Sequence, residues 1–256
     1  MIHPTAIIDP TAQLAENVTV GPYAVIGAQV EIGPGSDIRS HAVVEGPTKI
    51  GAQNRIFPFA SIGLEPQDKK FQGEESRLEI GDGNTIREYV TINRGSEVGG
   101  GITKIGSDNW IMAYCHIAHD CILGNEITMA NATTLGGHVE IDNYAVLGGL
   151  TAVHQFCRIG AYALTGGQSM ISQDVAPYVI ATGNRAKVAG LNYVGLERRG
   201  FTPDQIDEIN RIHRIFFLSG LSKDNAIIKM SEELPPTENL NRFIDFVESS
   251  QRGVCR

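Results

Sequence analysis

Aliphatic side chains recur at every sixth position through the first two thirds of the chain. The series runs over residues 2–62, returns in the same phase over 80–92, and resumes one position later over 105–171. Every position in these three series is Ile, Leu, Val or Met, except Thr165. A helix has a period of 3.6 residues and does not produce a strict interval of six. The pattern therefore predicts a repeat protein built from short strands.

Small residues flank each of these aliphatic positions. The residue after it is Gly in nearly half of the hexads, and the residue two positions before it is usually Ala, Ser or Thr. A short strand followed by a corner explains both preferences. The aliphatic side chain points inward, Gly permits a tight backbone at the corner, and the small residue fits a narrow interior.

Three hexads close one triangular coil. Coils then stack at the strand spacing of about 4.8 Å, so that positions three hexads apart lie above one another. The tract from residue 2 to residue 176 provides nearly ten coils. The general rule for parallel crossovers favours a right-handed coil.

Two insertions interrupt the repeat. The first, near residues 64–78, is polar and charged, and the second, near 97–103, accounts for the shift of one position. Insertions in a solenoid form loops on its outside, often around a binding site. A neutral surface insertion is the alternative.

Helices are predicted after the repeat stops near Pro177. Thr202 and Pro203 form an N-terminal cap, Ser222 begins a second helix that reaches Leu234, and a third spans about residues 238–250. The expected domains are a β-solenoid at 1–190 and a small helical domain at 191–256.

Composition and charge exclude several classes of protein. The 256 residues carry a net charge of −8, which argues against sequence-independent binding of nucleic acid. No apolar run approaches the length that spans a bilayer, the N-terminus lacks the features of a signal peptide, and the four cysteines lack disulfide or metal-knuckle spacing. We therefore expect a cytoplasmic protein without stable membrane insertion.

Histidines are the candidate chemical groups. Ile117, Leu135 and Val153 are separated by three hexads each and stack, which brings His119, His138 and His154 near one another on three successive coils, with His116 beside Ile117. A neutral imidazole in such a cluster could remove a proton from a hydroxyl group. Several imidazoles could instead bind Zn²⁺ and activate water.

Segments around these histidines resemble one family closely. They read HIAHDC at 116–121, LGGHV at 135–139 and TAVHQFC at 151–157. Further matching motifs are GPTKIG at 46–51, SIG at 61–63, QD at 67–68, NRG at 93–95, GSDN at 106–109, GN at 183–184 and RRGF at 198–201. The chain resembles the UDP-N-acetylglucosamine O-acyltransferases, a hexapeptide-repeat family, over essentially its whole length. The resemblance implies a left-handed parallel β-helix, contrary to the general crossover rule.

The same resemblance implies an activity and catalytic residues. The activity is transfer of an (R)-3-hydroxyacyl chain from acyl carrier protein to the 3-hydroxyl of UDP-N-acetylglucosamine, the first step of lipid A biosynthesis. His119 would be the general base, Asp120 would orient it, and the backbone N–H of Gly137 would hold the oxyanion. No metal, cofactor or covalent acyl-enzyme is implied, since the donor is already a thioester on the phosphopantetheine of the carrier protein.

Substrate-binding residues follow from the resemblance as well. His138 would contact the sugar, and Asp68 and Lys70 would reach the sugar and the acyl 3-hydroxyl. The remaining residues implied at the nucleotide, sugar, acyl and phosphopantetheine sites are Gln67, His116, His154, Gln155, Asn192, Arg198 and Arg199. The segment 184–199 is locally basic, as docking of an acidic carrier protein requires.

Acyl length and assembly are also implied by the family. A residue matching Gly167 limits how far the acyl chain runs, and Gly there suggests a long chain of about 12–14 carbons. A homotrimer is implied, with the histidines of one subunit facing a neighbour.

Four alternatives stay open at this point. The same site could form an amide on a UDP-2,3-diamino sugar, or the chain could be the N-acyltransferase that acts later in the pathway. It could also be a zinc hydratase of the same fold, or a solenoid scaffold without activity.

Overall fold

Strands of two to five residues follow one another around three flat faces of a prism. The computed structural model describes the whole chain, residues 1–256. Successive strands of one face come from successive coils and pair in parallel. The predicted solenoid of stacked triangular coils is confirmed.

Each face of the prism is one sheet. The first sheet contains Ile7–Ile8, Val25–Ile26, Val43–Val44, Ser61–Leu64, Thr91–Asn93, His116–Ile117, Thr134–Leu135, Ala152–Val153 and Met170–Ile171. The second sheet contains Gln13–Leu14, Val30–Ile32, Thr48–Ile50, Arg77–Ile80, Ile102–Ile105, Ile122–Leu123, Glu140–Ile141 and Arg158–Ile159. The third sheet contains Thr19–Val20, Asp37–Ile38, Arg55–Ile56, Thr85–Ile86, Trp110–Ile111, Thr128–Met129, Val146–Leu147, Leu164–Thr165, Val179–Thr182 and Lys187–Leu191.

Stacking follows the interval of three hexads. Ile117 pairs with Leu135, and Leu135 pairs with Val153, as predicted. The aliphatic residues of the hexads fill the interior together with the small residues two positions before them. Cys115, Cys121 and Cys157 occupy such small-residue positions as free thiols, and burial raises their pKa values to about 11, 12 and 11.

The two insertions leave this stacking intact. Ile62 pairs with Ile92 across the first insertion, and Ile92 pairs with Ile117 across the second. The second insertion contains a short 3₁₀ helix, Glu97–Gly99, and ends in the strand Ile102–Ile105. Both extra segments therefore project from the prism without changing its register.

Corner residues adopt a left-handed backbone conformation that non-glycine residues rarely occupy. Asp120, His138 and Phe156 have φ values of 60°, 60° and 64°. Each lies three hexads from the next, and the three therefore form one column at the corner between the first and second sheets. Another corner carries a ladder of rings whose centroids lie 5.0–5.3 Å apart, formed by Tyr23, His41, Phe59, Tyr89 and Tyr114.

Helices complete the C-terminal part of the chain. They are α1 Tyr193–Arg198, α2 Pro203–His213, which continues as a π-helix Arg214–Leu218, α3 Lys223–Glu233 and α4 Glu238–Glu248. Thr202 caps α2 and Ser222 caps α3, as predicted, and Thr202 forms a capping box with Gln205. None of these helices has the length and apolarity needed to span a membrane.

The transition between the two parts differs from the sequence prediction. Helices do not take over near Pro177, because an antiparallel hairpin, Val179–Thr182 and Lys187–Leu191, extends the third sheet first. Helix α1 then follows, which the sequence pattern did not predict. The helices pack around a second core that is separate from the prism interior, and Phe217 contacts both.

Candidate active site

The candidate site lies at the corner that follows the strand His116–Ile117. His119 and Asp120 form this turn, and Gly137 and His138 form the turn one coil above. Because position 137 is three hexads after position 119, Gly137 lies directly above His119. A Cβ atom on Gly137 would come within 2.6 Å of His119 Cε1. A glycine at this position leaves room for the imidazole.

Asp120 is the buried anchor of the site. Its side chain is fully buried, and Oδ2 accepts a hydrogen bond of 2.7 Å from His119 Nδ1. Ser96 donates to both carboxylate oxygens, through N–H to Oδ1 at 2.8 Å and through Oγ to Oδ2 at 2.6 Å. Burial acts to raise the pKa of Asp120, but the hydrogen bonds from His119 and Ser96 outweigh it and the pKa is lowered. Asp120 is therefore a carboxylate at neutral pH.

This carboxylate determines the protonation of His119. A carboxylate only accepts, so the proton of the neutral imidazole lies on Nδ1 and Nε2 carries the lone pair. Nε2 has no hydrogen-bond partner in the chain, and the side chain is 14% exposed. The hydrogen bond to Asp120 raises the pKa of His119 against the effect of burial, and the charge of Asp68 adds to the increase. His119 is thus an accessible base of increased strength.

His138 contacts the same pair. Its ring lies edge-on to His119 at 89°, with centroids 5.2 Å apart, and its Nε2 is 3.7 Å from Asp120 Oδ2. Phe156, one coil above, stacks on His138 with centroids 4.4 Å apart and an interplanar angle of 7°. Burial lowers the pKa of His138, whereas that of His119 is raised. As the pH falls, His119 therefore takes up a proton before His138 does.

The backbone N–H of Gly137 makes no hydrogen bond within the chain. Gly137 lies against the His119 ring, one coil above it. An unpaired N–H group can stabilise an oxyanion when a substrate occupies the cleft. The geometry is thus compatible with the predicted role of Gly137.

The other predicted histidines lie on either side. His116 Nδ1 is 2.7 Å from Thr91 Oγ1, and burial, with a smaller effect from His119, lowers the pKa of His116. His154 lies one coil above Gly136, and its clustering with His119 and His138 stays a prediction. Its Nδ1 bonds to the carbonyl of Gln155, and its side chain lines a separate cleft of about 720 Å³ with Arg185.

Residues of the first insertion approach the site from one side. Asp68 is near enough for its charge to act on both His119 and His138. Its Oδ1 also accepts the backbone N–H of Lys70 at 3.0 Å. The side chains of Gln67 and Lys70 are exposed, as is that of Gln155. Their contacts with substrate stay predictions.

The residues predicted to bind phosphates or phosphopantetheine differ in burial and in their partners within the chain. Asn192 is buried and caps α1, since its Oδ1 accepts from the N–H of Gly195 and its Nδ2 donates to the carbonyl of Tyr162. Arg199 pairs with Glu126, which reduces the local positive charge that the sequence predicts. Arg198 is exposed and has no partner in the chain. Gly167 is exposed, and a Cβ there would lie 3.4 Å from the carbonyl oxygen of Gly149.

Three residues at the site were missed from the sequence. Phe156 could have been found, because it lies three hexads after His138 in the same column. Thr103, which accepts the N–H of Asp120 at 2.8 Å, lies in the strand Ile102–Ile105, which pairs with Ile122–Leu123 of the next coil, so its position also follows from the repeat. Ser96 could not be found in this way, because it lies at the start of the second insertion, where the repeat gives no spatial position.

The site also has the geometry of a three-ligand cation site. Ligand atoms of His119, Asp120 and His138 lie within 4.8 Å of one another. Asp120 Oδ2 already accepts two hydrogen bonds, from His119 and Ser96. The absence of a metal therefore stays a prediction, which a chelator tests.

Curated relatives match the chain from end to end. It is 55% identical to the acyl-[acyl-carrier-protein]–UDP-N-acetylglucosamine O-acyltransferase of Janthinobacterium sp. (strain Marseille), covering 100% of this chain and 99% of the relative. It is 52% identical to the protein of the same name from Herminiimonas arsenicoxydans, with the same coverage.

Solved structures show the same fold. The UDP-N-acetylglucosamine acyltransferase of Francisella novicida superposes with a TM-score of 0.97 at 38% identity, covering 100% of this chain and 94% of that one. LpxA from Acinetobacter baumannii superposes with a TM-score of 0.97 at 45% identity, covering 100% and 99%.

Family models match both parts of the chain. A bacterial transferase hexapeptide model of six repeats matches residues 11–46 and 102–137, and domain 2 of UDP N-acetylglucosamine O-acyltransferase matches residues 174–255. Together, the left-handed parallel β-helix and its histidine–aspartate pair define a hexapeptide-repeat acyltransferase. With 50–55% identity over full-length relatives, the chain belongs to the UDP-N-acetylglucosamine O-acyltransferase family.

Proposed function

We propose that the protein transfers an (R)-3-hydroxyacyl chain from acyl carrier protein to the 3-hydroxyl of UDP-N-acetylglucosamine, the step that opens lipid A biosynthesis. The names of the full-length relatives support the two substrates. The observation that carries the chemistry is the His119–Asp120 hydrogen bond, which leaves Nε2 of His119 as an accessible lone pair.

The proposed reaction is a direct transfer between the bound substrates. His119 Nε2 removes the proton of the sugar 3-hydroxyl while its oxygen attacks the thioester carbonyl. The resulting oxyanion accepts a hydrogen bond from the N–H of Gly137. The intermediate collapses to the ester, the C–S bond breaks, and the proton on His119 passes to the departing thiolate. One base and one donor suffice because the thioester is already activated and both substrates are held together.

Supporting roles follow from position. Asp120 holds the Nδ1 proton of His119 and stabilises the imidazolium that forms during transfer. His138 is neutral and beside the base, which suits a hydrogen bond to the sugar. Asp68 and Lys70 extend from the first insertion toward the sugar and the acyl 3-hydroxyl, with Gln67 beside them. The other substrate contacts, of His116, His154, Gln155, Asn192, Arg198 and Arg199, are part of the same proposal.

A homotrimer is proposed on the character of the first sheet. Its outward residues are mostly small or apolar, whereas those of the second sheet are mostly charged. The outward residues of the first sheet are Ile7, Val25, Val43, Ser61, Thr91, His116, Thr134, Ala152 and Met170. A weakly polar face beside the candidate site suits contact with another copy of the chain. A cytoplasmic location stays a prediction.

The deciding experiment is acyl transfer from a 3-hydroxyacyl carrier protein to UDP-N-acetylglucosamine, measured with and without a chelator. Product formation that EDTA does not change is expected, since no step uses a metal or a cofactor beyond the donor's phosphopantetheine. A paired assay with a UDP-2,3-diamino sugar distinguishes ester from amide formation. Absence of transfer to either acceptor would contradict the proposal.

A further inference from the structure

The second insertion packs onto Asp120. It leaves the first sheet after Asn93 and returns in the strand Ile102–Ile105. Between these points Ser96 is 4% exposed. Ser96 precedes the 3₁₀ helix Glu97–Gly99, but its hydroxyl does not cap that helix. The hydroxyl is directed instead to Asp120, in the turn of the next coil.

Contacts with Asp120 come from three points of this loop. Ser96 donates to both carboxylate oxygens, and Thr103 Oγ1 accepts the backbone N–H of Asp120. Gly99 lies against the carboxylate, where a Cβ would come within 2.0 Å of Asp120 Cγ. A loop that only covered the surface would not need to contact Asp120 at its beginning, its middle and its end.

The Ser96 hydroxyl and the His119 imidazole share one acceptor. Ser96 Oγ lies 2.6 Å from Asp120 Oδ2, and His119 Nδ1 lies 2.7 Å from the same oxygen. Electron density that the oxygen gives to one donor is less available to the other. The hydroxyl therefore limits how strongly Asp120 binds the Nδ1 proton, while it fixes the direction of that oxygen.

We propose that Ser96 is a positioning residue for acyl transfer, acting through Asp120 on the orientation and basicity of His119. This inference rests on the proposed function for its kinetic consequence. Its structural part, the coupling of Ser96 to His119, does not depend on the substrate.

Ser96→Ala removes the hydroxyl and keeps the backbone N–H that holds the loop. We expect kcat to fall about tenfold or more, with KM for both substrates within about twofold, because Ser96 is buried and its hydroxyl is directed to Asp120. The acid limb of the rate profile should move to higher pH, since Asp120 then attracts the imidazolium more strongly. The charges of Asp68, His116 and His138, which also face His119, stay unchanged. Ser96→Thr restores the hydroxyl and should restore both quantities.

Ser36→Ala is the matched control. Ser36 is fully buried, and its Oγ donates to the carbonyl of Gly51 and accepts the N–H of Asn54, in coils that do not contact Asp120. It loses a buried hydroxyl as Ser96→Ala does. A general effect of such a loss would therefore appear equally in both variants. We expect Ser36→Ala to leave kcat and the acid limb unchanged.

An NMR titration of His119 separates this inference from the proposed function. Imidazole ¹⁵N shifts measured on the full chain without substrates should give a higher pKa for His119 in Ser96→Ala than in the wild type or Ser36→Ala. An unchanged titration together with wild-type kcat in a folded Ser96→Ala would overturn the inference. If the titration shifts while the wild type transfers no acyl chain to either acceptor, the coupling holds and the proposed function fails.

Discussion

The backbone of Gly137 lies one coil above the imidazole of His119, so close that a Cβ on Gly137 would fall 2.6 Å from Cε1. The interval of three hexads produces this relationship, because it stacks each position on its counterpart in the next coil. The backbone N–H of Gly137 makes no hydrogen bond within the chain, and Nε2 of His119 is likewise without a partner. The base and the oxyanion donor of the proposed mechanism therefore come from one column of the repeat.

Gly137→Ala should therefore abolish most activity without unfolding the protein. The new methyl group displaces the His119 ring, whose Nε2 edge has no anchoring bond, and breaks its alignment with Asp120. We expect kcat to fall by about 10²-fold or more with little change in Tm. Gly27→Ala is the control, since a Cβ there meets nothing closer than 3.4 Å. Equal activity of the two variants would contradict the proposed place of Gly137.

His119→Ala removes the proposed base. Loss of a positioned base should lower kcat by about 10²-fold or more, with the far-UV spectrum and Tm preserved. His41→Ala is a suitable control, because His41 is another corner histidine, stacked between Tyr23 and Phe59 and far from His119. Turnover of His119→Ala at the wild-type rate would exclude His119 as the base.

Asp120→Asn tests the origin of the pH dependence. In the proposed mechanism the neutral form of His119 is the base, so the rate should rise as pH increases through the pKa of His119. The hydrogen bond to Asp120 raises this pKa above its ordinary value. Removing the negative charge should therefore move the acid limb of kcat/KM to lower pH while the maximal rate falls. An acid limb that stays in place would show that another group controls it. The direction is opposite to that expected for Ser96→Ala, which keeps the carboxylate.

Site residues could be placed from the sequence only where they lie in the repeat. The stacking of Ile117, Leu135 and Val153 followed from counting, and it brought His119 close to His138. Counting did not show that His154 would line a cleft with Arg185, because neighbouring positions of a coil direct their side chains differently.

Features outside the repeat were beyond such counting. Ser96 reaches Asp120 across an insertion whose path depends on its own turns, including left-handed Gly100 and Gly101. The hairpin at Val179–Thr182 and Lys187–Leu191 was missed because its spacing departs from the repeat. Ile180 pairs with Leu164, and this interval is two residues shorter than three hexads. The six-residue pattern therefore ends in the sequence although the sheet continues in the structure. The caps at Thr202 and Ser222, in contrast, are local signals and located the helices correctly.

Gly167 is predicted to leave space for a long acyl chain. It is exposed, and a side chain would have only ordinary contact with Gly149, so Gly167→Met should fold normally. We expect the wild type to prefer donors of about 12–14 carbons in side-by-side kcat/KM assays. The methionine variant should shift the preference to shorter donors. A wild-type preference for 10-carbon donors would contradict this prediction.

Phe156→Ala should separate binding of the sugar from the chemical step. Phe156 is 50% exposed and stacks on His138, whose edge faces His119. Without this ring, His138 is free to turn, so its proposed contact with the sugar weakens while the His119–Asp120 pair remains. We expect KM for UDP-N-acetylglucosamine to rise several-fold, with a smaller change in kcat. Phe59→Ala is closely matched, because Phe59 is 47% exposed, has a φ of 63° and stacks on Tyr89 far along the prism. If both variants change KM alike, or if Phe156→Ala lowers only kcat, the idea that Phe156 orients His138 for sugar binding is wrong.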